Sequence, residues 1–117
     1  MDLIAHPIDE RTLVVSFGAD TELEGARSAL FKQRFREVIG RRTRAVVVVD
    51  MSRVRFIDSQ GLGALVATLK SLRAEGGDLV LACSSESVRA VLEITKLTRV
   101  FETHPDVESA VAAIAAT

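Results

Sequence analysis

Residues 45–63 read Ala45-Val46-Val47-Val48-Val49-Asp50-Met51-Ser52-Arg53-Val54-Arg55-Phe56-Ile57-Asp58-Ser59-Gln60-Gly61-Leu62-Gly63. The run from Ala45 to Val49 is apolar, β-branched and bounded by charges, the pattern of a strand buried on both faces of a helix-covered sheet. Arg53 to Ile57 is a turn-like approach, anchored by the apolar pair Phe56-Ile57. From Gly61 onward, Leu62, Leu65, Val66, Leu69 and Leu72 recur at helical spacing. Gly76-Gly77 ends that helix, and Leu79 to Cys83 is the next buried strand. Buried strand, helix and buried strand in succession define a unit with a parallel crossover, expected to be right-handed.

The same pattern extends in both directions. Upstream, Leu3–Ala5 is a short strand and Thr12–Phe17 a stronger one. Gly18-Ala19-Asp20-Thr21 forms a turn. A helix from Leu23 carries Ala26, Leu30, Phe31, Phe35, Val38 and Ile39 on one face and Arg27, Arg34 and Glu37 on the other, and it stops at Gly40. Downstream, Ser84 or Ser85 caps a helix bearing Val88, Val91 and Leu92. Val100-Phe101-Glu102 is a last strand. Thr103 or His104 caps the terminal helix, whose apolar face is Val107, Ala110, Val111 and Ile114. The order β-β-α-β-α-β-α-β-α implies one α/β domain over residues 1–117, with a mixed, mostly parallel central sheet covered by helices.

Composition narrows the function. The 117 residues are 48% hydrophobic and carry a net charge of −1, which excludes a disordered chain and a general nucleic-acid binder. Without Trp or Tyr there is no base-stacking platform. A single Cys, Cys83, excludes an internal disulfide and a multi-Cys metal site and fits a reducing compartment. The N-terminal stretch resembles neither a signal peptide nor a membrane span. The expectation is a cytoplasmic protein without metal or cofactor.

The chemistry concentrates at Ile57-Asp58-Ser59-Gln60-Gly61-Leu62-Gly63. Ser59 is the N-cap candidate of the helix that follows. Two Gly in a first turn cost helix stability, and an exposed Asp-Ser pair gains nothing from burial. Lacking side chains, Gly61 and Gly63 let a partner approach that helix end closely. A helix N-terminus also accepts an anion, so Ser59 is a phosphate site the fold tolerates. The segment mimics a G-x-S-x-G nucleophile elbow, but Ile57 replaces the first Gly and only His6 and His104 are available as bases. Gly61-x-Gly63 lacks the third Gly of a dinucleotide fingerprint, and no phosphate-binding P-loop is present. Arg41, Arg42 and Arg44 read as a solvated basic loop. Arg53 and Arg55 are better placed to touch a partner.

These residues resemble the STAS domain family, in particular the bacterial anti-sigma factor antagonists. The resemblance rests on Asp50-Met51-Ser52 followed by Ile57-Asp58-Ser59-Gln60-Gly61-Leu62-Gly63. It extends to Gly76-Gly77-Asp78-Leu79-Val80-Leu81 and Ile94-Thr95-Lys96-Leu97. It implies a non-enzymatic binding module in which Ser59 is the phosphoacceptor. The implied partners are an anti-sigma factor that is also a serine kinase, and a serine phosphatase that resets the switch. It implies a docking surface of Asp20, Asp58, Ser59, Gln60, Gly61, Leu62 and Gly63, with no nucleic acid or membrane insertion. Alternatives within the resemblance are a stand-alone regulatory subunit of a membrane transporter and a non-phosphorylated scaffold of a sensory complex. Two departures stand out. The turn Gly18-Ala19-Asp20-Thr21 is one residue out of register with the usual Gly-Glu-Leu-Asp, making Asp20 the counterpart of its acid. Lys96 occupies a place where many relatives have Gly.

Overall fold

The computed structural model describes residues 1–116; Thr117, the expected end of the terminal helix, lies outside the described residues. Its strands are β1 (Leu3–Pro7), β2 (Thr12–Phe17), β3 (Glu22–Leu23), β4 (Val46–Asp50), β5 (Phe56–Ile57), β6 (Asp78–Ala82) and β7 (Glu102–His104). Its helices are α1 (Ala26–Ile39), α2 (Ser59–Ala74), α3 (Glu86–Ile94) and α4 (Val107–Ala115). A 3-10 turn spans Leu97–Arg99. The main sheet runs β1-β2-β4-β6-β7. β1 is antiparallel to β2, and the remaining pairs are parallel. The mixed, mostly parallel sheet of the sequence reading is therefore present.

The strands sort their side chains between two cores because neighbouring residues point to opposite faces. Leu13, Val15, Phe17, Val47, Val49, Leu79 and Leu81 meet α1, α2 and α3. Val14, Val48, Val80 and Ala82 meet α4 through Ala110. β4 is buried on both faces over Val46–Val49, as its unbroken valine run requires. At the centre of the larger core, Phe31 lies 5.5 Å from Phe17 and 5.6 Å from Phe35 between ring centroids.

Several element boundaries differ from the sequence reading. Leu23 begins no helix; with Glu22 it forms β3, which pairs in parallel with β5, a two-residue strand that the turn-like reading of 53–57 missed. Two-residue strands carry no periodicity, so pattern cannot reveal them. Of the pair read as an anchor, only Ile57 is buried; Phe56 is 50% exposed. The last strand starts at Glu102, because residues 97–99 tighten into the 3-10 turn first. Thr103 and His104 therefore lie in β7, and Asp106 caps α4 by accepting from Ser109 N–H at 2.7 Å. Ser85 caps α3, accepting from Val88 N–H. Lys96 adopts a left-handed backbone, φ 61°, a conformation that Gly occupies without strain.

Phe31 has no exposed surface and two aromatic neighbours. Phe31→Ala should destabilise the fold by about 3–5 kcal/mol, read as a lower urea midpoint at unchanged slope.

Candidate functional site

The site grows from the C-terminal end of β4. Asp50 Oδ1 accepts from Ser52 N–H at 3.0 Å, and Val54 N–H donates to Met51 O at 3.0 Å. Met51 and Val54 are buried, so they pin this turn beneath the surface. Arg55 N–H then donates to Thr21 O at 2.7 Å, delivering the chain into the β3–β5 pairing. Because β5 alternates, Ile57 enters the core and Phe56 is left on the surface.

Asp58 follows in extended backbone and is the N-cap of α2. This corrects the expectation for Ser59, which is the first helical residue. Asp58 Oδ1 accepts from Gly61 N–H at 2.8 Å. Its Oδ2 accepts from Gly25 N–H at 3.1 Å. Gly25 is the N-cap of α1 and has no capping side chain of its own. One carboxylate thus fixes the starts of two helices. The Gly61 N–H contributes most to holding the Asp58 carboxyl below its ordinary value; the Gly25 N–H adds to this, against the opposing effect of desolvation.

Two glycines with the same sequence signature do different work. A Cβ on Gly61 would fall 2.2 Å from Leu23 O and 2.7 Å from Ile57 Cγ1, so Gly61 is the contact that lets α2 lie against β3 and β5. It faces inward, which corrects the reading of Gly61 as clearance for a partner. A Cβ on Gly63 would meet nothing within 4 Å. Ser59 and Gly63, four residues apart, share an exposed helix face. The Ser59 hydroxyl has no hydrogen bond among the described residues.

The remaining predicted site residues divide by depth. Gln60 is exposed, and Leu62 is on the buried face of α2. Asp20 is half-buried and pairs with Arg27 at 3.8 Å. Arg27 also reaches Glu22 at 3.5 Å. The acid that feels Asp58 is Glu24, which the sequence reading did not single out. Its carboxyl is pushed up first by a hydrogen bond with Glu22, then by burial and by the charges of Glu22 and Asp58. Arg53 donates to Gly18 O at 3.1 Å, bracing the β2 turn. Arg55 O accepts from Ser87 Oγ at 2.9 Å, tying the site to α3. His104 pairs with Glu102 at 2.7 Å on β7, so it is not engaged as a base for Ser59. Cys83 is buried, and burial raises its thiol pKa. Phe56, read as an apolar anchor, is instead left exposed at this surface. No helix of the described residues is long and apolar enough to cross a membrane.

A family model described as the STAS domain matches residues 5–110. A Thermotoga neapolitana protein, named as a homolog of a candidate anti-sigma factor antagonist, is 32% identical over 109 residues, or 92% of this chain and 94% of its own length. The anti-sigma-B factor antagonist of Listeria monocytogenes is 39% identical over 57 residues, 49% of this chain; the match spans about half (50%) of that relative's length. The anti-sigma factor antagonist SpoIIAA, in its unphosphorylated form, shares the fold with a TM-score of 0.77 at 20% identity, over 99% of this chain and 98% of that one. The phosphorylated form of the Bacillus SpoIIAA gives 0.66 at 22% identity, over 97% and 99%.

The two glycines should separate experimentally. Gly61→Ala must move backbone and should destabilise by about 2–3 kcal/mol, whereas Gly63→Ala should be neutral or stabilise by up to about 1 kcal/mol; chemical denaturation of both variants checks this. Asp58 has a lowered pKa in the folded state, so its contribution is fully present above about pH 4 and fades as pH falls through the folded value. Asp58→Asn should lower the thermal midpoint at pH 7, and its gap from wild type should narrow at pH 3. A gap that stayed constant across that range would contradict the clamp.

Proposed function

The chain belongs to the STAS domain family, and on that premise we propose that it is an anti-sigma factor antagonist switched at Ser59. In this reading the unphosphorylated protein works in the cytoplasm and docks an anti-sigma factor that is also a serine kinase, freeing a sigma factor. The kinase transfers the γ-phosphoryl group of ATP to Ser59 Oγ, which loses its proton, and ADP leaves. A serine phosphatase removes the phosphate and restores docking.

The observation that carries the reading is the state of Ser59: exposed, in the first turn of α2, with its hydroxyl unengaged among the described residues. Removing its proton or adding a phosphate breaks no internal bond. Asp58 performs the structural capping, so Ser59 is free for chemistry. Phe56, exposed just before it, and Gly63, with open space at its Cα, leave accessible surface for a partner.

The charge balance supports a switch. A phosphoserine adds about −1.5 to −2 charge at pH 7. Here it would join Asp58 and the neighbouring Glu24 on an already acidic rim. The helix N-terminus offsets part of that repulsion inside the fold. A partner fitted to a neutral hydroxyl has no such offset. A loss of about 3 kcal/mol would weaken docking more than a hundredfold.

Incubation with the cognate anti-sigma kinase and ATP should add one phosphate, mapped to Ser59, and Ser59→Ala should take up none. Ser59→Asp should keep the fold and bind the kinase about a hundredfold more weakly. Equal labelling of Ser59→Ala, or equal kinase affinity of Ser59→Asp and wild type, would overturn the assignment of the switch to Ser59; no labelling of either protein would favour a transporter subunit or a scaffold.

A further inference from the structure

At the far end of α2, roughly 20 Å along its axis from Ser59, the C-terminal halves of α1 and α2 and the connection 40–45 enclose a groove of about 500 Å³. The groove exists because the facing side chains on α2 are small: Ala67, Thr68 and Ser71. Phe35, Ile39 and Leu72 supply an apolar floor. The rim is cationic. Lys32, Arg36, Arg41, Arg42 and Arg44 line it against one acid, Glu75, an excess of four positive charges on a chain whose net charge is −1.

Two features set this rim apart from a solvated basic loop. The first is magnitude. The C-termini of α1 and α2 end here, and each brings only about half a negative charge. Arg42 answers one of them by donating to Val38 O at 3.1 Å. About three positive charges remain unbalanced, and among the described residues the ion pairs involve none of the five cations. The second is the backbone of Arg44, held at φ 60° in the left-handed region, where Gly or Asn would be unstrained. Arg44 N–H donates to Glu75 O at 3.1 Å, and its carbonyl accepts from Arg11 Nε at 2.8 Å. A guanidinium is thus kept at a position that the chain's conformational preferences would give to a smaller residue, a pattern that marks functional sites.

We propose that this groove binds a small organic phosphate, a phosphate or pyrophosphate ester with an apolar or aromatic body. The volume lies within the range of small-molecule sites. Planar guanidinium forks match phosphate oxygens, and the Phe35–Ile39–Leu72 floor receives the hydrocarbon part. The charge excess is local, so it attracts a compact anion and does not create the long basic face that nucleic acid needs. The site is independent of Ser59 and stands whether or not Ser59 is phosphorylated.

Titration of the full chain with 1-naphthyl phosphate, followed by amide NMR and calorimetry, tests this. Saturable shifts are expected in residues 32–45 and 67–76, with none at 59–63 and an affinity that falls as salt rises. Inorganic pyrophosphate should bind the same residues more weakly, and 1-naphthol should not bind. The double variant Arg36→Gln with Arg41→Gln should lose about tenfold in affinity. Arg44→Asn should also weaken binding while its thermal midpoint stays level or rises, which separates lost recognition from lost folding. Ser71→Phe should block naphthyl phosphate by filling the groove. Absence of saturable shifts with both phosphates, or unchanged affinity in the arginine variants, would overturn the proposal. So would a glutamate-rich peptide that shifts these amides when the phosphates do not, which would assign the groove to an acidic segment of a partner.

Discussion

β4 is the constraint from which the rest follows. Hydrogen-bonded on one side to β2 and on the other to β6, it has no free edge, and its valines leave no polar face. Both of its faces must be covered, so α1, α2 and α3 lie on one side and α4 on the other. A strand buried in this way delivers its next residues to the C-terminal edge of a parallel sheet. The turn after Asp50 is therefore both rigid at its base, through Met51 and Val54, and open at its top.

Asp58 converts that rigid base into a presented residue. It spends both carboxylate oxygens on backbone N–H groups of different helices. Gly61 completes the arrangement by letting the first turn of α2 lie directly on Leu23. Ser59 sits between these two structural residues, is exposed, and bears none of their load.

The two ends of α2 differ in sign. Its N-terminal end lies beside Asp58, Glu24 and Glu22, where Arg27 pairs with Asp20 and Glu22. Its C-terminal end lies beside five cations and Glu75. A nearly neutral chain can thus hold two surfaces of opposite preference on one helix. Neither is visible in the net charge.

Much of the fold was legible along the chain. The valine run, the 3.6-residue spacing of α1 and α2 and the alternation of strands with helices define the layered sheet, because burial imposes periodicity on sequence. The Asp-Ser-x-Gly-Leu-Gly stretch stood out for a different reason: glycines in a first helical turn are unfavourable unless something requires them, and here the close approach of Leu23 requires Gly61. What lay beyond the sequence was set by contacts between distant segments. β3 and β5 exist only as partners of one another, and Phe56 is exposed because that pairing turns Ile57 inward. Asp58 rather than Ser59 caps α2, accepting from Gly61 N–H, and its second oxygen accepts from Gly25 N–H, 33 residues earlier, a contact no local pattern reveals. Gly61 and Gly63 look alike in sequence, and only the approach of Leu23 distinguishes them. Local pattern determined the long strands and the helices, because burial makes them periodic; the close approach of segments far apart in the chain decided the short β3–β5 pairing and which side chains around it face solvent.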